Sequence, residues 1–152
     1  MQESRTYVLI GQATITTSGT ESGFVRLPRP ATAATFLASV VSASGTIKVV
    51  IQRGISFGAT ADTSGLPVTK TVGDTDIEWF DYASFTSTTT AGKRILPLVY
   101  TSTTNDSLVT TGGQIASNSQ LNGSIGTLFR GAYQVSGASP TFVVKVVGEF
   151  EF

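Results

Sequence analysis

The sequence contains no cysteine and no histidine. Without cysteine there can be no disulfide, thiolate nucleophile, iron–sulfur cluster or thiolate zinc site. Without histidine there is no Ser-His-Asp or Cys-His arrangement, no imidazole metal ligand, and no side chain whose ordinary titration falls near neutrality. Charge is also scarce. Ten Lys and Arg balance ten Asp and Glu, and charged residues make up 13% of the 152, about half the ~25% of an ordinary soluble domain. Affinity for polyanions comes largely from clustered cations that release counterions from phosphates. Here only Lys93 and Arg94 are adjacent, so no nucleic-acid partner is expected. Apolar runs are short and broken by Thr, Ser and Gly, far from the ~18 residues of a membrane helix, and no membrane partner is expected. The opening Met1-Gln2-Glu3-Ser4-Arg5 is not a basic stretch followed by an apolar one, so no signal peptide is expected.

What remains is a chain 40% hydrophobic, long enough to form one domain that buries roughly 70% of its unfolded surface. Its apolar residues fall in short β-branched and aromatic runs between Gly, Ser, Asn and Pro, the signature of strands. No window of helical length holds the i, i+3, i+4, i+7 pattern. Strands are expected over Thr6–Thr17, Phe24–Leu27, Thr35–Ser42, Thr46–Ser56, Ile77–Phe85, Arg94–Tyr100, Thr127–Val135 and Thr141–Phe152. About eight strands in one domain, residues 1–152, imply an all-β antiparallel β-sandwich. Ala43-Ser44-Gly45 reads as a hairpin turn, and Ser136 to Pro140 as the joint between the last two strands. The stretch from Val40 to Val50 echoes that from Gln134 to Val147: a strand, a small-residue turn, then a strand with Lys among valines. Two long Gly/Thr/Ser-rich connections, 57–76 and 101–126, break the rhythm. Such loops are either surface insertions or segments that bind or order against something.

Little in this chain can carry chemistry. The densest acidic cluster is Asp74, Asp76, Glu78 and Asp81. An extended Asp74–Glu78 would place three carboxylates on one face, a weak candidate calcium site. The cluster could also supply the two acids of a glycosidase. No D-x-[DN]-x-[DN]-G loop is present, and nothing pairs a buried acid with an exposed one. A solvated strand end, whose charges discourage edge pairing, is the preferred reading. No phosphate-binding glycine loop occurs, and no S-x-x-K involves Lys48, Lys70, Lys93 or Lys145, so a Ser nucleophile has no evident base. No catalytic residue, cofactor or metal is therefore assigned. Strand alternation in Trp79-Phe80-Asp81-Tyr82-Ala83-Ser84-Phe85 puts Trp79 and Phe85 on one face and Phe80 and Tyr82 on the other. One face is expected to fill the core and the other to lie under a loop or a neighbouring subunit.

Ile51-Gln52, the Trp79–Phe85 run and the final stretch from Phe129 to Phe142, with its V-x-G-x-S-P-x-F hairpin motif, resemble small phage virion proteins. These have a jelly-roll-like β-sandwich and include head decoration (cement) proteins. The likeness covers about half the chain and is strongest in the last thirty residues. The 57–76 connection stands where that family has a short Ser-Asp-Asp-Gly turn, and 101–126 is longer than the family pattern. The resemblance implies a non-enzymatic protein of the phage head surface, made in the host cytoplasm, that binds neighbouring major-capsid subunits as a homo-oligomer, with a trimer as the expected order. Contacts are expected from an N-terminal arm, Met1, Gln2, Glu3, Ser4 and Arg5, and from Phe57, Thr60, Asp62 and Leu66 in the first long loop. The alternative is a receptor- or glycan-binding β-sandwich module of a tail or fibre.

Overall fold

A computed structural model describes residues 3–56, 77–100, 106, 108–121 and 123–152. The described chain is all-β and antiparallel, without a helix. Its seven strands are β1 (Ser4–Ile15), β2 (Gly19–Thr20), β3 (Val25–Arg26), β4 (Ala33–Ser56), β5 (Ile77–Ser84), β6 (Gly92–Val99) and β7 (Leu128–Glu151).

Two of these strands are 24 residues long, several times the usual five or six, and they organise everything else. β4 and β7 pair with each other along nearly their whole length, from Ala33 opposite Glu151 to Gly54 opposite Leu128. The expected hairpin at Ala43–Gly45 and the expected joint at Ser136–Pro140 are therefore corrected. Each segment turns its strand from one layer into the other without pairing the two halves with each other as a hairpin would, and the flanking predicted strands merge into one. The two small-residue segments instead face each other at a shared corner. Ser44 pairs with Thr141 and Thr46 with Ser136, so β7 spends Gly137 to Pro140 opposite Gly45 alone. Gly45 sits at φ 98° and Gly137 at φ 130°, a region costly for any residue with a Cβ. A Cβ on Gly45 would also lie 2.6 Å from the Ser136 carbonyl oxygen. The echo between the two stretches is thus an echo between two strands bent at the same point.

The bend folds the sheet over itself. A straight β7 at ~3.3 Å per residue would hold Phe129 and Phe150 about 70 Å apart, yet their rings stand 5.1 Å apart. Two layers result. Layer A contains β6, the first half of β4, the second half of β7, and β1 at the far edge. Layer B contains β5, the second half of β4, the first half of β7, and the short β2 and β3. This is the sandwich expected from the strand count.

Alternation explains which side chains meet between the layers. In layer A, Ala34, Phe36, Ala38 and Val40 of β4 and Phe142, Val144, Val146 and Phe150 of β7 all point inward and are buried. Layer B answers with Ile47, Val49, Ile51, Tyr82 and Phe129. Phe36 meets Phe150 edge-on at 5.4 Å, and Phe129 touches Phe36, Phe150 and Tyr82 at 6.1, 5.1 and 6.4 Å. Glycine makes room for this cluster. A Cβ on Gly148 would come within 2.8 Å of the Phe36 ring.

Candidate functional site

Two places concentrate side chains that could do something: the outer side of layer B and the outer side of layer A.

Layer B is buried on both faces. The segment 108–121, part of the second long connection, runs along the free edge of β5 and over the outer face. The Asp81 amide donates to the Thr110 carbonyl (2.7 Å), Ser84 to Ser119 (2.9 Å), and Leu121 back to Tyr82 (2.8 Å). Ile115 caps Val50 and Ala132, and Lys48 Nζ donates to the Ile115 carbonyl at 2.6 Å. The second face of the Trp79–Phe85 strand is therefore covered by a loop, one of the two expected outcomes.

Beneath that segment lies a fully buried carboxylate. Asp81 Oδ1 accepts from Gln52 Nε2 (2.8 Å) and the Gly113 amide (2.9 Å). Its Oδ2 accepts from Thr110 Oγ1 (2.6 Å) and the Ile115 amide (3.3 Å). Gln52, also buried, spends its other amide proton on the Thr111 carbonyl (2.8 Å), and its Oε1 accepts from Arg130 Nε (2.7 Å). The Arg130 guanidinium lies 4.5 Å over the Trp79 ring. Burial lowers the Arg130 pKa from the usual arginine value, and the nearby Asp81 charge pulls it back up. Every lone-pair direction of Asp81 is thus committed to the chain's own donors, which leaves it neither a metal ligand nor a general base. The carboxylate ties β4 and β5 to the segment 108–121.

This corrects the sequence reading in two respects. Asp81 is not part of a solvated strand end. Nor does simple alternation hold through β5, because a bulge leaves Tyr82 without its own partner: Ile51 pairs with Ala83, but Gln52 pairs with Asp81. The bulge shifts the phase, so Phe80, Tyr82 and Phe85 all reach the core while Trp79 stays outside. There Trp79 packs 5.6 Å from Phe24.

Of the weak calcium trio, Glu78 is exposed on β5 opposite Ile55, and Asp74 and Asp76 lie outside the described residues. Among the described residues no group of three or more acidic side chains could hold a metal ion. Met1, Gln2, Phe57, Thr60, Asp62 and Leu66 also lie outside them. Ser4 and Arg5 are not a detached arm: they open β1, paired with Glu151 and Phe150 of the same chain. Glu3 accepts from the Phe152 amide at 2.8 Å and forms ion pairs with Arg5 (2.6 Å) and Arg29 (3.6 Å). These pairs are about half exposed and contribute little to stability.

Two shallow concavities complete layer B. One, about 350 Å³, is lined by Ser18, Thr46, Lys48, Ser87, Gln134 and Ser136. The other, about 360 Å³, takes in Arg26, Arg53, Ser56, Ser124 and Thr127. In the second, burial lowers the Arg53 pKa, and its Nη1 donates to the Ser124 carbonyl at 2.8 Å.

Layer A differs, because its outer face is bare among the described residues. Strand register sets four rows across it. Lys93, Ser39 and Lys145 form the first, and Ile95, Leu37, Val147 and Val8 the second. Pro97, Thr35, Glu149 and Thr6 form the third, and Val99, Ala33, Glu151 and Ser4 the fourth. The second row is wholly aliphatic and crosses all four strands, with Ile95 68% and Val8 54% exposed. Single exposed apolar residues are ordinary, but a contiguous row of them marks a contact surface. No sequence window could reveal it, since its members come from four separate strands. The chain gives no match to known protein families, to curated proteins or to solved structures.

Proposed function

We propose that this chain is a non-enzymatic phage virion structural protein, working as a head decoration (cement) protein that binds neighbouring major-capsid subunits and associates with its own copies. The observation that carries the reading is the outer face of layer A, which is crossed by an aliphatic row and whose exposed large apolar side chains are aliphatic. Val8, Ile95 and Val99 lie on it. A face of this kind serves flat protein–protein contact. Further support comes from the sequence resemblance in the Trp79–Phe85 and Phe129–Phe142 stretches. The neutral charge balance also lets many copies pack with little mutual repulsion.

The second reading, a glycan-binding module of a tail or fibre, calls for exposed aromatic rings that stack on sugars. Among the described residues Trp79 is already engaged by Phe24 and by the Arg130 guanidinium over its ring, and Tyr100 is the one aromatic among the exposed large apolar side chains. The decoration reading is therefore the better supported. It is tested by mixing the purified protein with undecorated heads of the parent phage. Co-sedimentation and a rise in the heat resistance of the shells are expected; shells that neither retain the protein nor gain resistance would overturn the reading.

A further inference from the structure

We infer that the outer face of layer A is an isologous interface on which a second copy of this chain docks about a two-fold axis. The inference rests on the assembly reading above and names one surface through which copies meet.

The arrangement of charge singles out a second copy as the occupant. The aliphatic row Ile95–Leu37–Val147–Val8 lies between a basic row, carrying Lys93 and Lys145, and an acidic side, carrying Glu149 and Glu151. On β7 the order is Lys145, Val147, Glu149, each two residues on and so on the same face. Two such faces can be laid together by a two-fold axis running along the aliphatic row. That rotation keeps β7 over β7, reverses the strand direction, and sets Lys145 of each copy against Glu149 of the other. Ile95, Leu37, Val147 and Val8 then meet their own counterparts along the axis. Isologous contacts need this kind of self-complementarity, and opposed sheets pack stably with aligned strands ~10 Å apart. An unrelated partner would have no reason to match β7, the strand the axis keeps in place, whose Lys145 and Glu149 mirror each other about the apolar centre.

Size sets the strength. Four strands at ~4.8 Å spacing and four rows two residues apart cover on the order of 500 Å², less than the ~800 Å² per partner of a standard stable interface. The pair is therefore a weak one in solution, formed at micromolar or higher concentration and reinforced where copies are held side by side.

Sedimentation velocity over about 5–200 μM tests this. The full-length protein is expected to shift from monomer to dimer, with the shift reduced at high salt. Ile95→Glu, a change at an exposed position, is expected to keep the protein monomeric throughout. Lys145→Glu is expected to weaken association about tenfold. The double variant Lys145→Glu/Glu149→Lys should restore self-association while failing to pair with the unmodified chain, a pattern that only the two-fold geometry produces. A monomer at every concentration, a trimer, or an Ile95→Glu variant that associates as before would overturn the inference. Shell binding by a strictly monomeric protein would remove the dimer and leave the decoration reading standing. A dimer that does not bind shells would do the reverse.

Discussion

Replacing Asp81 by alanine is expected to destabilise the fold by about 3–5 kcal/mol, the largest effect of any polar substitution among the described residues. The carboxylate accepts four hydrogen bonds. Its removal strands one N–H of Gln52 Nε2, the Gly113 and Ile115 amides and the Thr110 hydroxyl in a buried site, where each unmet donor costs about 1–3 kcal/mol, offset in part by water entering the gap. Asparagine separates geometry from acceptor capacity. With its amide nitrogen in the Oδ2 position it can donate to the Thr110 hydroxyl, while its oxygen still receives Gly113 and Gln52; only the long Ile115 bond becomes a donor–donor conflict. Asp81→Asn is therefore expected to cost about 1–2 kcal/mol. Urea unfolding followed by the fluorescence of Trp79, the single tryptophan, gives both values. Hydrogen exchange at Gly113 and Ile115 should accelerate in the alanine variant well before global unfolding, because the segment 108–121 loses its anchor. Unchanged exchange there would mean that apolar contact of Ile115 with Val50 and Ala132, and not Asp81, holds the segment.

Phe129→Ala is expected to cost about 3–5 kcal/mol, the range for emptying a large buried aromatic site. Phe129 projects from layer B into a cluster with Phe36 and Phe150 of layer A and Tyr82 of its own layer, and none of its surface reaches solvent. Tight packing around it limits collapse: Gly148 is already closed against Phe36. Phe129→Leu keeps most of the volume and should cost about 1–2 kcal/mol. Both are read from denaturant midpoints with an unchanged slope. An alanine cost below about 1 kcal/mol would mean that the layers are not held together through this cluster. Against a total stability of about 5–15 kcal/mol for a domain of this kind, either alanine variant should be markedly less heat-resistant.

Strand positions were largely legible because a sandwich strand advertises itself locally, by β-branched alternation between turn residues. What was not legible is where each strand finds its partner. Ala43-Ser44-Gly45 and Gly137-Ala138-Ser139-Pro140 carry the small residues and positive-φ glycines that a hairpin also uses. Only the long-range register shows that they are facing bends in two paired strands. The same limit hid the role of Asp81. Within β5 it looked like one more charge in an acidic run, and its meaning depends on Gln52, twenty-nine residues earlier, and on Thr110, Gly113 and Ile115 beyond the next strand. The Tyr82 bulge, a single extra residue in the ladder, then moved Phe85 to the opposite face from the one alternation assigned. The absence of His and Cys, by contrast, excluded their chemistries from the sequence alone, and the fold leaves Asp81 as a structural acceptor.

The proposal of a phage head protein that works by contact with its neighbours rests on the resemblance in the Phe129–Phe142 stretch and on the aliphatic face of layer A. The most direct test of that claim is the number of copies in each particle, counted by quantitative mass spectrometry of purified virions of the parent phage against the major capsid protein. A shell protein should be present in hundreds of copies, in a fixed ratio to the capsid subunit. A handful of copies would place it on a tail or fibre, and none at all would contradict a virion role.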